Sequence, residues 1–168
     1  MAEFITDNDR VLRQKELIEH MGRLFSKKGF QSLPGRVIGL LIFSDKDEFT
    51  FEEIINELQI SKSSASVAIN SLTLLNKIEY ITHSGDRRRY FRIKQSTYSE
   101  IIEDTRKNME EIYNLVREGL ELKQDKNSST YNFMSKYMKV SEYWIKQIEQ
   151  FDTMCKNGTF TFDDNKEK

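Results

Sequence analysis

Two helix-start signals in close succession, Thr50-Phe51-Glu52-Glu53 and Ser61-Lys62-Ser63-Ser64, constrain this chain more than any other feature. Thr50 and Glu53 have the spacing of a capping box, in which each side chain satisfies the other residue's orphan backbone amide. The helix they open turns Ile54, Ile55 and Leu58 inward. It has to end at Gln59-Ile60, because Ser61 caps a second helix running to about Asn76. A helix, a short turn and a capped helix make a helix-turn-helix.

The second helix divides into two stripes. Ala65, Ala68, Leu72 and Leu75 follow helical spacing and predict the buried side. Lys62, Ser66, Asn70, Thr73 and Lys77 form a polar stripe, with Ser63, Ser64 and Val67 beside it. Ordinary solvent-facing helix surfaces are rich in Glu, Lys and Gln, whereas this one is short-chained and rich in hydroxyls. Side chains of that kind let a helix enter a major groove, and Ser, Thr and Asn also read base edges. The candidate DNA contacts on this helix are therefore Lys62, Ser63, Ser64, Ser66, Val67, Asn70 and Thr73.

Downstream, Ile78-Glu79-Tyr80-Ile81-Thr82 is a β-type run. The turn Ser84-Gly85-Asp86 and a second run, Arg89-Tyr90-Phe91-Arg92-Ile93, complete a β-hairpin wing. Arg87, Arg88 and Arg89 cluster at its tip, placed to lie along a phosphate strand or enter a minor groove. Tyr90 and Phe91 should face opposite ways, one of them anchoring the hairpin to the core. Net charge over the chain is −1, yet residues 61–95 hold seven basic side chains against two acidic ones. A basic patch on an otherwise acidic chain is the footprint of phosphate binding, because DNA attracts only the face it meets.

The flanking segments read as helix. Asp7 or Asp9 can cap a first helix to about Lys28, with Val11, Leu12, Leu17, Ile18, Met21, Leu24 and Phe25 at three- and four-residue spacing. Gly29 stops it, and Pro34 suits the first position of a second, mostly apolar helix ending near Asp45. Phe49 enters a short strand. A long helix from Thr97 to about Lys123 carries Tyr98, Ile102, Thr105, Met109, Ile112 and Val116 at a 3.5-residue period, broadened by Ile101, Tyr113 and Leu120. Lys126-Asn127-Ser128-Ser129 breaks it. The last helix, about Thr130 to Lys156, repeats the pattern with Met134, Tyr137, Ser141, Trp144, Ile148 and Phe151. Seams this long need a partner, most simply a second copy, in cis or swapped arrangement. A homodimer would also present two recognition helices to two half-sites.

The reading is therefore mainly α with a small β wing. Residues 1–32 form an N-terminal packing and dimerisation helix, 33–95 a winged helix-turn-helix, 96–156 C-terminal dimerisation helices and 157–168 a frayed tail. With 168 residues, 32 % of them charged and 38 % hydrophobic, the chain can bury a core. No apolar run reaches the roughly 20 residues of a membrane span, and no basic-then-apolar signal opens the sequence, so a cytoplasmic protein is expected. Cys155 is the single cysteine, which excludes an intramolecular disulfide. His20 and His83 lie in different elements without partnering ligands, so neither a metal nor a cofactor is expected. With no glycine-rich phosphate loop and no nucleophile motif, an enzyme is the least favoured class.

Three stretches carry a family resemblance: Leu33-Pro34-Gly35-Arg36-Val37-Ile38-Gly39-Leu40-Leu41, Ile60-Ser61-Lys62-Ser63-Ser64-Ala65-Ser66 and Gly85-Asp86-Arg87-Arg88-Arg89-Tyr90-Phe91. Over residues 33 to 93 the chain resembles the MarR-type winged helix-turn-helix regulators. Within them it is similar to the GbsR-like branch tied to choline and glycine betaine metabolism. The resemblance implies a dimeric bacterial or archaeal repressor of double-stranded DNA, reading bases through Ser63, Ser64, Ser66, Val67 and Asn70. The wing arginines would match Arg87 and Arg88. Many relatives carry a basic residue where Val67 stands, and here an apolar contact, for example to a thymine methyl, replaces it. The resemblance also implies a choline-type effector held by cation–π attraction, with Tyr98, Tyr137 and Trp144 as candidate cage residues. The competing reading is a winged-helix protein-interaction or architectural module without operator specificity.

Overall fold

Thr50 organises the centre of the first half of the chain from two directions. In the computed structural model, which describes residues 6–160, it ends strand β1 (Phe49–Thr50) and caps helix α3 (Phe51–Leu58). The Glu53 amide donates to Thr50 Oγ1 (3.3 Å) and the Thr50 amide donates to Glu53 Oε2 (2.7 Å), so the capping box forms as its spacing predicts. Gln59 then adopts a left-handed conformation (φ +51°) that stops α3, and Ser61 starts helix α4 (Lys62–Leu74).

Strands β2 (Ile78–Ile81) and β3 (Tyr90–Ile93) form the hairpin, and β3 also pairs with β1. The antiparallel sheet has the order β1-β3-β2, with Phe91 opposite both Phe49 and Tyr80. Phe91 is the inward residue that anchors the hairpin, and Tyr90 takes the other face. Ile54, Leu72, Ile78 and Val37 are the largest fully buried side chains, so α2 (Ser32–Phe43), α3, α4 and the sheet share one core.

Helices α1 (Asp7–Lys27) and α2 (Ser32–Phe43) cross closely because glycines line the contact. A Cβ on Gly35 would stand 2.7 Å from Phe25 Cγ and 2.8 Å from the Met21 carbonyl oxygen. One on Gly39 would stand 3.0 Å from Ile18 Cα. Arg36 reinforces the junction, donating to Glu19 Oε1 (2.7 Å) and to the Leu58 carbonyl at the end of α3 (3.0 Å).

Several boundaries differ from the sequence expectation for identifiable reasons. Thr6, not Asp7 or Asp9, caps α1: the Asp9 amide donates to its hydroxyl, and both aspartates occupy the first turn, where the helix dipole favours negative charge. Helix α2 starts at Ser32, so Pro34 is third; a first-turn amide has no helical acceptor, and its loss there costs nothing. Leu75 is 58 % exposed, and Ile69 (3 %) takes the buried place expected of it. The helix ends at Leu74 and Asn76 turns to φ +58°, so helical spacing no longer governs where Leu75 points.

Of the described residues, 6–95 form one compact unit and 96–160 a second. The second is a hairpin of α5 (Tyr98–Leu122) and α6 (Ser129–Lys156), opened by a Thr97–Glu100 capping box and a Ser128 cap. The end of α5 meets the start of α6 around a shallow cavity of about 270 Å³ lined by Tyr113, Leu120, Tyr131 and Met138. Among the described residues of this unit, only Met138 is buried. The expected α6 seam splits: Met134, Ser141 and Ile148 are half-buried, while Tyr137 and Trp144 are exposed. Residues 157–160, expected to begin a frayed tail, close the helix instead. The Thr159 and Phe160 amides donate to the Met154 carbonyl, and Phe160 lies edge-on to Phe151 with ring centroids 5.0 Å apart. The rest of that expected tail, 161–168, falls outside the described residues.

Candidate nucleic-acid interface

The exposed side of α4 begins at its cap. Ser61 Oγ accepts from the Ser64 amide (3.1 Å) and lies 3.0 and 2.8 Å from the hydroxyls of Ser63 and Ser64. Those two hydroxyls are thus engaged at the helix start. Lys62 Nζ lies 3.0 Å from Glu52 Oε1, but both side chains are well exposed, and such a pair exchanges readily for a phosphate. Thr73 Oγ1 donates to the Ile69 carbonyl (2.9 Å), which leaves its hydroxyl only accepting capacity. Ser66 and Asn70 have no hydrogen-bond partner among the described residues and are the free polar groups of the face. Val67 is 58 % exposed, as an apolar contact to a base requires.

The wing tip is a built structure. Gly85 takes φ +82°, which lets the Asp86 amide donate to the His83 carbonyl (3.0 Å) and close the turn. Asp86 is its hub. Arg88 Nε donates to both carboxylate oxygens (3.0 and 2.9 Å), the Arg88 amide donates to Oδ1 (2.9 Å), and the Tyr90 hydroxyl donates to Oδ2 (2.7 Å). The Arg88 guanidinium first, then its amide and the Tyr90 hydroxyl, hold the Asp86 carboxyl well below the usual carboxylate range. His83 Nε2 meets Glu48 Oε1 (2.5 Å) and packs its ring against Tyr90, bracing the loop that carries the tip.

The three tip arginines therefore differ. Arg88 is tethered to Asp86 yet two-thirds exposed along its side chain. The Arg89 guanidinium lies 4.7 Å above the ring of Tyr80. Arg87 is exposed and has no hydrogen bond or ion pair among the described residues.

The helix and the wing converge. Ser66, Asn70 and Thr73 line one side of a groove of about 650 Å³, and Tyr80, Arg88 and Arg89 line the other. Ile69 and Phe91 supply apolar floor, and Glu52 stands at the rim. Ser63, Ser64 and Val67 lie elsewhere: with Gln31 and Leu33 they line a separate depression of about 260 Å³. The ten candidate DNA residues thus occupy two sides of α4 and the wing tip. Tyr80 was not among them. The alternation of β2 puts it on the face of Ile78, and the tertiary pairing sets it opposite Phe91 and beside α4.

The three candidate cage residues are not gathered within one chain. Tyr137 and Trp144 share a face of α6 two turns apart. Tyr98 opens α5 at the end of the hairpin remote from the α5–α6 connection, on the order of 20 Å along the helix axes from Tyr137. Among the described residues there is no group of three or more His, Cys, Asp or Glu that could hold a metal ion, and no helix long and apolar enough to cross a membrane.

A helix-turn-helix whose second helix shares a groove with a basic β-hairpin is a winged helix-turn-helix, and that is the fold of this chain. One solved structure of a transcriptional regulator matches it with a TM-score of 0.69, covering 86 % of this chain and 99 % of that one at 23 % identity. The HTH-type transcriptional regulator MmpR5 of Mycobacterium tuberculosis (strain ATCC 25618 / H37Rv) is 30 % identical over 105 residues. That match covers 62 % of this chain and 64 % of the relative, so the chain spans less than two thirds of the relative's length. No protein-family model matches the sequence.

Proposed function

We propose that this protein is a transcriptional regulator that binds double-stranded DNA sequence-specifically, with α4 in the major groove and the wing on the flanking backbone. The observation that carries this reading is the convergence of Ser66, Asn70 and Thr73 with Arg88 and Arg89 on a single groove. Free amide and hydroxyl groups face the same space as fixed cations, which suits base edges beside phosphates. The regulatory role of the relative and the shared fold point the same way.

The regulator acts as a homodimer on an inverted-repeat operator, in the cytoplasm, as a repressor. Support for the dimer comes from α5 and α6. Ile112, Leu115 and Leu122 on one, and Phe133, Val140 and Trp144 on the other, are all at least half exposed. Apolar surface on that scale is a partner site, and a second copy covers it symmetrically. Residues 33–95 are the DNA-binding part in this reading, with 1–32 and 96–156 serving the dimer. The wing stretch Gly85-Asp86-Arg87-Arg88-Arg89-Tyr90-Phe91 supports a place in the GbsR-like branch of MarR-type regulators. A choline-type effector releasing the DNA would draw on Tyr137 and Trp144, and on Tyr98 only through a second chain.

The test is to sequence genomic fragments retained by the purified protein at two salt concentrations. A recurring inverted repeat that survives the higher salt is the expected result. Fragments without a common site, lost at higher salt, would replace this reading with an architectural DNA binder. No retention at all would replace it with a protein-interaction module.

A further inference from the structure

Arg89 and Tyr80 meet across the hairpin. Tyr80 of β2 stands opposite Phe91 of β3, and Arg89 lies two residues before Phe91. Alternation along a strand puts residues 89 and 91 on one face, so Arg89 is the diagonal neighbour of Tyr80, within reach of a long side chain. Its guanidinium sits 4.7 Å from the centroid of the Tyr80 ring, and Phe91 backs that ring edge-on at 6.5 Å. Phe91 is 8 % exposed and Tyr80 50 %, so the platform is rooted in the core and open to the groove. Arg89 makes no hydrogen bond or ion pair among the described residues, which leaves all its N–H donors free. Glu52, the carboxylate lining the groove, is held by Lys62 instead.

The ring and the carboxylate of the wing act on their arginines in different ways. Asp86 fixes Arg88 by taking its donors and offsetting its charge. Tyr80 aims Arg89 without neutralising it, because an aromatic face attracts a cation and leaves its donors and charge available. Without that ring Arg89 would spread over many rotamers in water, and ordering it on a ligand would cost the lost entropy. The aimed guanidinium shares its groove with Ser66, Asn70 and Thr73 of α4. With α4 in a major groove and the wing beside it, what runs between the two is sugar-phosphate backbone. We infer that Tyr80 is a positioning residue for DNA binding: its ring holds the Arg89 guanidinium toward α4, where Arg89 neutralises a phosphate of the strand between the helix and the wing. This rests on the DNA-binding reading above and adds to it a residue outside the ten candidates.

The experiment titrates the full chain with a mixed-sequence duplex over a range of salt, beside the variants Arg89→Ala, Tyr80→Leu, Tyr80→Phe and the double variant Tyr80→Leu/Arg89→Ala. Circular dichroism checks the fold, which substitutions at these exposed positions should leave intact. Arg89→Ala should weaken binding and make the slope of log K against log salt shallower by about 0.9, the value of one phosphate. Tyr80→Leu should weaken binding roughly 2- to 5-fold, the worth of an exposed cation–π contact. Tyr80→Phe keeps the ring and should bind like the wild type. In the Arg89→Ala background, Tyr80→Leu should have no further effect. A Tyr80 that served only the packing of the hairpin would weaken binding equally in both backgrounds, and that result would overturn the inference. So would an unchanged salt slope in Arg89→Ala. A loss in Tyr80→Phe as large as in Tyr80→Leu would overturn it too, by putting the phenol hydroxyl itself on the DNA. Absence of DNA binding by the wild type would overturn the parent reading instead.

Discussion

Asp86 grips Arg88 from two sides of the guanidinium and from the backbone at once, with Nη2 to Oδ2 at 2.6 Å as the shortest of these contacts. This carboxylate, the acidic group of a basic wing tip, is what aims its central arginine. Asp86→Ala removes a negative charge from the interface, which alone would strengthen DNA binding. We expect the opposite, a severalfold loss on operator and random duplex alike, because the turn and Arg88 lose their shared anchor. Fluorescence anisotropy at fixed salt measures it, and tighter binding by Asp86→Ala would show that the tether does nothing for recognition.

Asn70 is a free amide at the centre of the exposed α4 face, with both donor and acceptor available to an adenine edge. Asn70→Ala should weaken operator binding roughly 5- to 150-fold (~1–3 kcal/mol) and leave random duplex unaffected. Equal losses on the two duplexes would remove Asn70 from base reading.

Thr50 and Glu53 link the sheet to the first helix of the motif. Thr50→Ala removes the cap and should lower stability by ~1–2 kcal/mol, seen as a fall in Tm of a few degrees. Glu53 carries the pH dependence. Its bond to Lys46 first, then the Thr50 amide, lower its carboxyl from 4.5 to about 2. A lowered folded-state value means that its stabilisation is complete above about pH 4.5 and is lost as pH falls toward 2. Urea midpoints measured across that window should fall more steeply for the wild type than for Glu53→Gln.

Gly35 allows α1 and α2 to approach. An added Cβ meets the Met21 carbonyl and the base of the Phe25 ring, neither of which is a flexible chain end. Gly35→Ala should cost ~1–3 kcal/mol by denaturant unfolding, although alanine is the better helix former. A neutral or stabilising result would mean that the helices slide apart without loss.

Trp144 is 54 % exposed on the apolar face of α6. Trp144→Glu places a charge where a second copy is expected to pack, so sedimentation velocity should show a shift from dimer toward monomer with helicity retained. A dimer of undiminished strength would put the interface on another face.

The sequence by itself determined the elements whose formation depends on near neighbours. Thr50 with Glu53, Ser61 with Ser64, and the glycine turn at Gly85 form within a few residues, and their chemistry is complete before any long-range contact exists. So the helix-turn-helix, the wing and the break between the two long helices were all legible. Tertiary structure decided what each exposed side chain is free to do. Whether Arg88 is loose or tied depends on where its turn folds the Asp86 carboxylate, and Tyr80 joins the groove only because β2 pairs beside α4 through β3. It also decided which residue of a periodic stripe is buried: Leu75 stays out because the helix stops one residue earlier, and spacing carries information only while the helix continues. The split of the α4 face into a wing side and an α1–α2 side lies beyond any periodicity, because it depends on which distant segments the core brings to each flank.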